Sequence, residues 1–147
     1  MRTLSGRCHC GNLALALETA LAPEDLVLRE CACSFCRKHG ARTTADPDGR
    51  ARIVVRDPAL LSRYRFEHGT ADFLTCRACG VYLAAVTGDG DAGFATLNVR
   101  SFDDQAPFDR DAMPVSYDGE TADARRNRRR ERWTPVEIVE ALPSGNA

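Results

Sequence analysis

Alternation of apolar residues with small or polar ones predicts short β-strands along the chain. The clearest case is residues 13–18, where Leu13, Leu15 and Leu17 alternate with alanine and glutamate. A period of two places successive side chains on opposite faces of a strand, so the leucines would share one buried face. Other short apolar segments bounded by turn residues have the same interpretation. They are residues 26–30, 50–56, 64–66, 71–75, 81–86, 93–99 and 115–117.

The segments between these strands predict turns, loops and one helix. Residues 121–133 have a helix-forming composition, and Thr121 or Asp123 would cap the first turn. The other segments lack a regular hydrophobic period. They are residues 59–62 (one helical turn), 88–91 (a loop tip), 101–113 (a long polar loop) and 142–147 (a fraying end).

Length and composition indicate one globular domain. The chain has 147 residues, of which 44% are hydrophobic and 28% charged, and a chain of this size can bury a core without covalent cross-links. We expect a single domain over residues 1–147, with its core at about 5–120 and a helical extension and frayed tail at 121–147. The net charge of -1 provides no general attraction for nucleic acid or an anionic membrane.

The cellular compartment bears on the chemistry of the cysteines. The first seven residues lack the apolar core of a signal peptide, and the apolar segments are too short to span a bilayer. We therefore predict a cytoplasmic protein with no membrane partner. Thiols stay reduced in the cytoplasm, so clustered cysteines are more typical there of metal sites than of disulfides. The seven cysteines, an odd number, also argue against complete pairing.

Three cysteines, Cys31, Cys33 and Cys36, crowd into six consecutive positions. Zn²⁺ takes thiolate ligands in a tetrahedron, and C-x-C and C-x-x-C turns can point two sulfurs at one ion. Three protein ligands leave the fourth position open, which is typical of catalytic zinc. A redox-active trio and an empty, degenerate site are the open alternatives.

The other four cysteines form two pairs, Cys8 with Cys10 and Cys76 with Cys79, and a glycine follows each pair. Glycine permits a tight turn, so each pair would supply half of a four-thiolate zinc site. Because the pairs lie far apart in sequence, one ion would close a very large loop. Its binding would contribute on the order of 10 kcal/mol to folding. Two unrelated pairs of buried thiols are the alternative.

Residues next to the three-cysteine segment are further candidates. Arg37 and Lys38 follow it directly and would offset the negative charge of three thiolates or hold a substrate carboxylate. The fourth zinc ligand is open. His39 is the nearest histidine, whereas His9 should point away from the metal and His68 should lie at the surface.

Taken together, these motifs resemble the glutathione-dependent formaldehyde-activating enzyme family, which shares its domain with centromere protein V. The chain has C-x-C-G at residues 8–11, C-x-C-S-x-C-R-x-x-G at 31–40 and C-x-x-C-G at 76–80. The resemblance covers roughly residues 5–120. Thr75, where the family usually has Phe, departs from the pattern and would alter packing near the third motif.

The resemblance implies a mainly β, Mss4-like fold of twisted sheets around a structural zinc. It implies two zinc ions per chain, with Cys31, Cys33 and Cys36 as the catalytic residues that hold the second one. The structural zinc would be held by Cys8, Cys10, Cys76 and Cys79. The family's named activity joins glutathione and formaldehyde into S-hydroxymethylglutathione, a carbon–sulfur lyase reaction. The implied partner is therefore a small thiol such as glutathione.

Two other functions are open at this point. One is a non-catalytic zinc scaffold that binds a small thiol or a protein partner. The other is nucleic-acid binding through the basic run at residues 125–132. No aromatic residues interleave with this run, and the acidic residues at 103–111 would pair with it. A solvated helix is therefore the favoured interpretation of the run.

Overall fold

Burial alternates along the long strands, as the hydrophobic pattern predicts. In the strand Arg50–Val55, the buried residues Ala51, Ile53 and Val55 alternate with exposed ones. The computed structural model describes residues 1–88 and 92–141. Residues 89–91 of the predicted loop tip and the predicted fraying end at 142–147 lie outside the described residues.

Eleven β-strands and two α-helices form the regular structure of the described residues. The strands are β1 (Arg2–Arg7), β2 (Leu13–Thr19), β3 (Arg29–Cys31), β4 (Thr43–Thr44), β5 (Arg50–Val55), β6 (Leu61–Tyr64), β7 (Asp72–Cys76), β8 (Tyr82–Thr87), β9 (Ala92–Asn98), β10 (Met113–Val115) and β11 (Thr134–Glu140). The helices are α1 (Ser34–His39) and α2 (Ala122–Arg132). Neither of these helices is long and apolar enough to span a membrane.

All the strands belong to one mixed sheet that branches at β9. The main path runs β1-β2-β5-β11-β9-β4-β3-β10, and β8, β7 and β6 continue from the other edge of β9. Two pairs are parallel, β11 with β5 and β10 with β3, and the others are antiparallel. The mainly β prediction is confirmed, and the branched sheet is consistent with the implied Mss4-like architecture.

The clearest sequence patterns gave the most accurate strand predictions. The strands predicted at residues 13–18, 50–56, 71–75, 81–86 and 93–99 correspond to β2, β5, β7, β8 and β9. The strands predicted at residues 26–30, 64–66 and 115–117 correspond to β3, β6 and β10, each displaced by a few residues. β3 starts at Arg29, β6 ends at Tyr64 and β10 ends at Val115. The helical turn predicted at 59–62 is a 3₁₀ turn at Pro58–Leu60, and Leu61 already belongs to β6.

Four of these strands and helices are not among the sequence predictions. Residues 134–140 fall within the predicted helical extension and tail, yet they form β11 in the middle of the sheet, between β5 and β9. Val136 and Ile138 are buried there on either side of the exposed Glu137, which is a strand pattern behind a helix. The other three are β1, a mostly exposed edge strand, β4, a strand of two residues, and α1, which begins inside the cysteine-rich segment.

Residues 125–132 form a helix with one solvated face, as predicted, but its other face is not solvated. Helix α2 starts where predicted, with the amide N–H of Ala124 donating to Thr121 Oγ1 at 3.1 Å. The helix then packs against the sheet, and Arg129 is buried. Its ion pairs among the described residues are with Glu67, Glu120 and Asp123, and not with the acidic loop at 103–111.

Replacement of a core residue of β11 tests its central place in the sheet. We expect Ile138→Ala to lower the free energy of unfolding by about 2–5 kcal/mol, because it leaves a cavity between two paired strands. The matched control is Val54→Ala, since Val54 lies in the neighbouring strand and is 37% exposed. The control should cost less than about 1 kcal/mol. Urea denaturation of both variants makes the comparison, and equal losses would contradict a central β11.

A second prediction concerns Glu120, which anchors α2. Arg128 donates to its two carboxylate oxygens at 2.9 and 3.1 Å, and these bonds, with those from Arg125, lower the pKa of Glu120. We expect Glu120→Gln to cost roughly 1–3 kcal/mol at pH 7. Glu67→Gln, at an exposed partner of Arg125, should cost less than about 1 kcal/mol.

The pH dependence of the Glu120→Gln effect has a definite sign. A lowered folded-state pKa makes the stabilisation complete above about pH 4.3, the ordinary pKa of glutamate, and lost as the pH falls through the folded value. The difference from the unsubstituted protein in urea denaturation should therefore shrink only in strong acid. A difference that is already absent at pH 7 would show that Glu120 does not anchor the helix.

Candidate functional site

Four thiols from two distant turns meet at one point. Cys8 and Cys10 lie in the turn between β1 and β2, while Cys76 ends β7 and Cys79 lies in the turn between β7 and β8. Their four sulfurs lie within 4.8 Å of one another, with Cys8 to Cys10 at 3.7 Å and Cys10 to Cys76 at 3.6 Å. Four sulfurs at about 2.3 Å from a zinc ion would be about 3.8 Å apart in a tetrahedron. The spacing therefore fits a four-thiolate metal site.

The backbone of both turns positions these sulfurs. Gly11 and Gly80, which follow the two pairs, have φ of 84° and 82°, a left-handed conformation that favours glycine. The amide N–H of Leu13 donates to Cys8 Sγ at 3.2 Å, and a hydrogen bond of this kind stabilises a thiolate. The glycine after each pair, visible in the sequence, therefore has the role that the motif predicts for it.

The other three thiols also converge. Cys31 is the last residue of β3, Cys33 is the N-cap of α1 and Cys36 lies in its first turn, with all three sulfurs within 4.8 Å of one another. The amide N–H of Cys36 donates to Cys33 Sγ at 3.4 Å. Among the described residues, no histidine nitrogen or carboxylate oxygen joins this group of sulfurs. The group supplies three ligands and leaves one side for another molecule.

Three thiols this close together cannot all ionise easily. Hydrogen bonds from Cys31 and Cys36 lower the pKa of Cys33, whereas the pKa of Cys36 is raised by its bonds to Cys31 and Cys33 and by burial. One thiolate therefore forms at the expense of its neighbours. A bound divalent cation is what would allow all three to be thiolates at once.

A cavity of about 80 Å³ lies against the three-cysteine group. The sulfur-bearing residues form part of its wall, and aromatic residues form another part. Tyr82 is buried in that wall, and its ring meets the ring of Phe35 edge-on at 4.9 Å. The Tyr82 hydroxyl has no hydrogen-bond partner among the described residues. Burial, followed by the nearby thiols, raises the pKa of Tyr82 well above its usual value, so the hydroxyl keeps its proton.

Four arginines line the same cavity, namely Arg29 from β3 and Arg125, Arg128 and Arg129 from α2. Arg128 stacks over the ring of Tyr117, with Cζ 3.5 Å from its centroid. None of the four is among the predicted site residues. The basic run at 125–132 was the available signal, but only tertiary structure shows that one face of it turns toward the cysteines.

The predicted substrate-binding residues lie outside the lining of this cavity. Arg37 and Lys38 are exposed in the last turn of α1 and do not line the cavity. Their role in substrate binding stays a prediction. Of the histidines, His9 and His68 are exposed, as expected. The ring of His39 packs on Phe35 with 4.4 Å between centroids, and His39 is not part of the three-cysteine group.

Comparison with known proteins agrees with the motifs. The family model described as glutathione-dependent formaldehyde-activating enzyme matches residues 3–116. Among solved structures, the chain is similar to a Rhodobacter sphaeroides protein whose crystal structure is known, with 31% sequence identity and a TM-score of 0.56. The match covers 75% of this chain and 97% of that one. The chain therefore belongs to the family of glutathione-dependent formaldehyde-activating enzymes.

Proposed function

We propose that this protein is a zinc-dependent carbon–sulfur lyase that acts on the adduct of a glutathione-like thiol with formaldehyde or another small electrophile. The observation that carries the proposal is the three-cysteine group with one side against a cavity. The family match supports glutathione and formaldehyde as the first compounds to test. The four-thiolate group, whose sulfurs come from two turns, would hold a second, structural zinc.

The donor sets fit these two roles. Four sulfurs at tetrahedral spacing complete the coordination of a structural zinc ion, while three sulfurs leave a position for a ligand, as in catalytic sites. A zinc ion bound to Cys31, Cys33 and Cys36 would favour the thiolate form of an incoming thiol or polarise a carbonyl. The reduced cytoplasm, which the sequence predicts as the location, would keep all seven thiols available.

The chain's own residues would position the reactants. In the synthetic direction, the substrate sulfur attacks the carbonyl carbon, the carbon–oxygen π electrons move to oxygen, and the proton released by the thiol ends on that oxygen. Thiol and formaldehyde thus combine into the S-hydroxymethyl adduct without any other reactant. The buried, protonated Tyr82 hydroxyl lines the cavity and can donate a hydrogen bond to an oxygen there. The aromatic wall would exclude water from the reacting atoms.

Metal content separates the two zinc roles. We expect two equivalents of zinc per chain in reduced protein. Cys33→Ser should retain the fold and about one equivalent, because serine is a good helix N-cap and replaces the capping sulfur of α1. Cys10→Ser should lose both the structural zinc and the fold. Elemental analysis with circular dichroism measures both quantities, and two equivalents of zinc in Cys33→Ser would contradict the assignment.

Turnover tests the enzymatic part of the proposal. Exchange between glutathione, ¹³C-formaldehyde and S-hydroxymethylglutathione can be followed by NMR against the spontaneous rate. We expect acceleration by the zinc-loaded protein and a loss of about 100-fold or more in Cys33→Ser, since even residues that only orient metal ligands have effects of 10–100-fold. Arg126→Gln, at an exposed position on α2, should retain full activity.

The same assay can also contradict the proposed enzyme activity. Absence of acceleration by protein that holds two zinc ions, over a series of small thiols and aldehydes, would favour the non-catalytic zinc scaffold instead. Full turnover in Cys33→Ser would show that the three-cysteine group is not the reaction centre.

A further inference from the structure

Arg129 is a buried cation without an acidic partner among the described residues. Only 6% of its surface is exposed. Its Nη1 donates to Thr70 Oγ1 at 2.8 Å, its Nε is buried with no hydrogen-bond partner, and its Cζ lies 4.8 Å from the ring centroid of Trp133. Thr70 and Trp133 both line the cavity beside the three-cysteine group. The arginine therefore presents unused donor capacity to that cavity.

The neighbouring arginines of α2 are paired. Arg125 and Arg128 both donate to Glu120, and Arg125 also reaches Glu67. Their charge is therefore largely compensated within the protein. Arg29, on the other side of the cavity, forms no ion pair among the described residues. The excess positive charge of the cavity thus rests on Arg129 and Arg29.

Burial of an unpaired guanidinium opposes folding unless something compensates for it. Burial, followed by repulsion from Arg128 and Arg125, lowers the pKa of Arg129 to about 10, so it is still charged at neutral pH. The Tyr82 hydroxyl, buried without a partner in the same cavity, adds a second unused donor. Two buried donors without acceptors on one cavity indicate a ligand that supplies acceptors.

We propose that Arg129 and Tyr82 form an anion-binding side of the cavity, and that the substrate carries a carboxylate held there while its reacting atom faces Cys31, Cys33 and Cys36. This inference rests on the proposed function and narrows its substrate class. A guanidinium binds a carboxylate through two parallel hydrogen bonds, and the exclusion of water strengthens them. The carboxylate belongs either to the thiol or to the electrophile.

The segment that carries Arg129 lies outside the matched family region. The family model ends at residue 116, and α2 begins at Ala122. The seven cysteines therefore lie within the matched family region, while the arginines of α2 lie outside it. Such an arrangement is expected if one reaction centre serves different substrates in different members.

A purely structural role is the alternative for Arg129. A zinc ion with three thiolates carries a net negative charge, which a nearby guanidinium would offset without touching any substrate. Ligand charge distinguishes the two roles. A substrate-binding arginine favours an anionic ligand over its neutral analogue, whereas an arginine that only offsets the metal site affects both ligands alike.

The test compares mercaptoacetate with mercaptoacetamide, which share a thiol and differ in charge. Trp133, the only tryptophan of the chain, lines the cavity, so its fluorescence reports binding to the zinc-loaded protein. We expect mercaptoacetate to bind about tenfold more tightly or better, and Arg129→Gln to remove this preference. Arg126→Gln, on the exposed face of the same helix, should retain it.

Either of two results would overturn the inference. One is equal binding of mercaptoacetate and mercaptoacetamide to the unsubstituted protein, and the other is a preference for mercaptoacetate that survives in Arg129→Gln. If Arg129→Gln does not fold, Arg129→Lys takes its place. Lysine keeps the charge but not the paired donors, so the preference should fall several-fold, and an unchanged preference would again contradict the proposal.

A second pair, glycolate and glycolamide, identifies the source of the carboxylate. These compounds carry no thiol and imitate the hydrated carbon of an acidic aldehyde. If the preference for mercaptoacetate over mercaptoacetamide depends on Arg129, the carboxylate belongs to the thiol. If the preference for glycolate over glycolamide depends on Arg129, the carboxylate belongs to the electrophile. If neither preference depends on Arg129, the proposal is overturned. Because these are binding measurements, they can fail while turnover with glutathione and formaldehyde succeeds, or succeed while turnover fails.

Discussion

The fold depends on the meeting of two cysteine turns that are far apart in the chain. Cys10 and Cys76, 66 residues apart, bring their sulfurs to 3.6 Å. The first turn joins β1 to β2 at one end of the main strand path, and the second joins β7 to β8 in the branch that continues from β9. Four thiolates at that distance would repel one another, and a cation at their centre would stabilise the arrangement. A metal ion there would join one end of the main strand path to the branch that continues from β9.

The three-cysteine group is constructed differently, and this difference supports a different role. Its sulfurs come from one short segment, β3 and the start of α1, so no distant parts of the chain depend on it. It lies against a cavity whose other walls are aromatic and basic. A local group of ligands beside a cavity can exchange a ligand without unfolding the sheet. This difference is why the proposal gives the catalytic role to this group and the structural role to the other.

The C-terminal segment completes the cavity from outside the shared family region. β11 lies in the middle of the sheet, between β5 and β9, and directly follows α2. Its position sets that of the helix, and Glu120 holds the arginines of the helix in place. The cavity thus has the three-cysteine group, from the matched family region, in one wall and the arginines of α2, from outside that region, in another.

Local patterns in the sequence predicted most of the strands and the two groups of cysteines that the fold brings together. Cysteine spacing is decisive because thiolate pairs at C-x-C and C-x-x-C need only a turn to converge, and alternation identified the strands with one buried face. The sequence does not predict that one face of the charged run of α2 is buried. That burial depends on contacts with Glu120, Thr70 and Trp133, which no local pattern encodes. The strand pattern around Val136 and Ile138 is present in the sequence, but it directly follows a helix and falls within the predicted helical extension and tail.

X-ray absorption at the zinc edge tests the central claim, two different zinc sites in one chain, most directly. Seven sulfurs shared by two ions predict an average of about 3.5 sulfur neighbours per zinc, with a lighter atom completing the shell. Addition of a small thiol should raise the average toward four. An average of four before any thiol is added, or one that does not change afterwards, would contradict an open three-thiolate site.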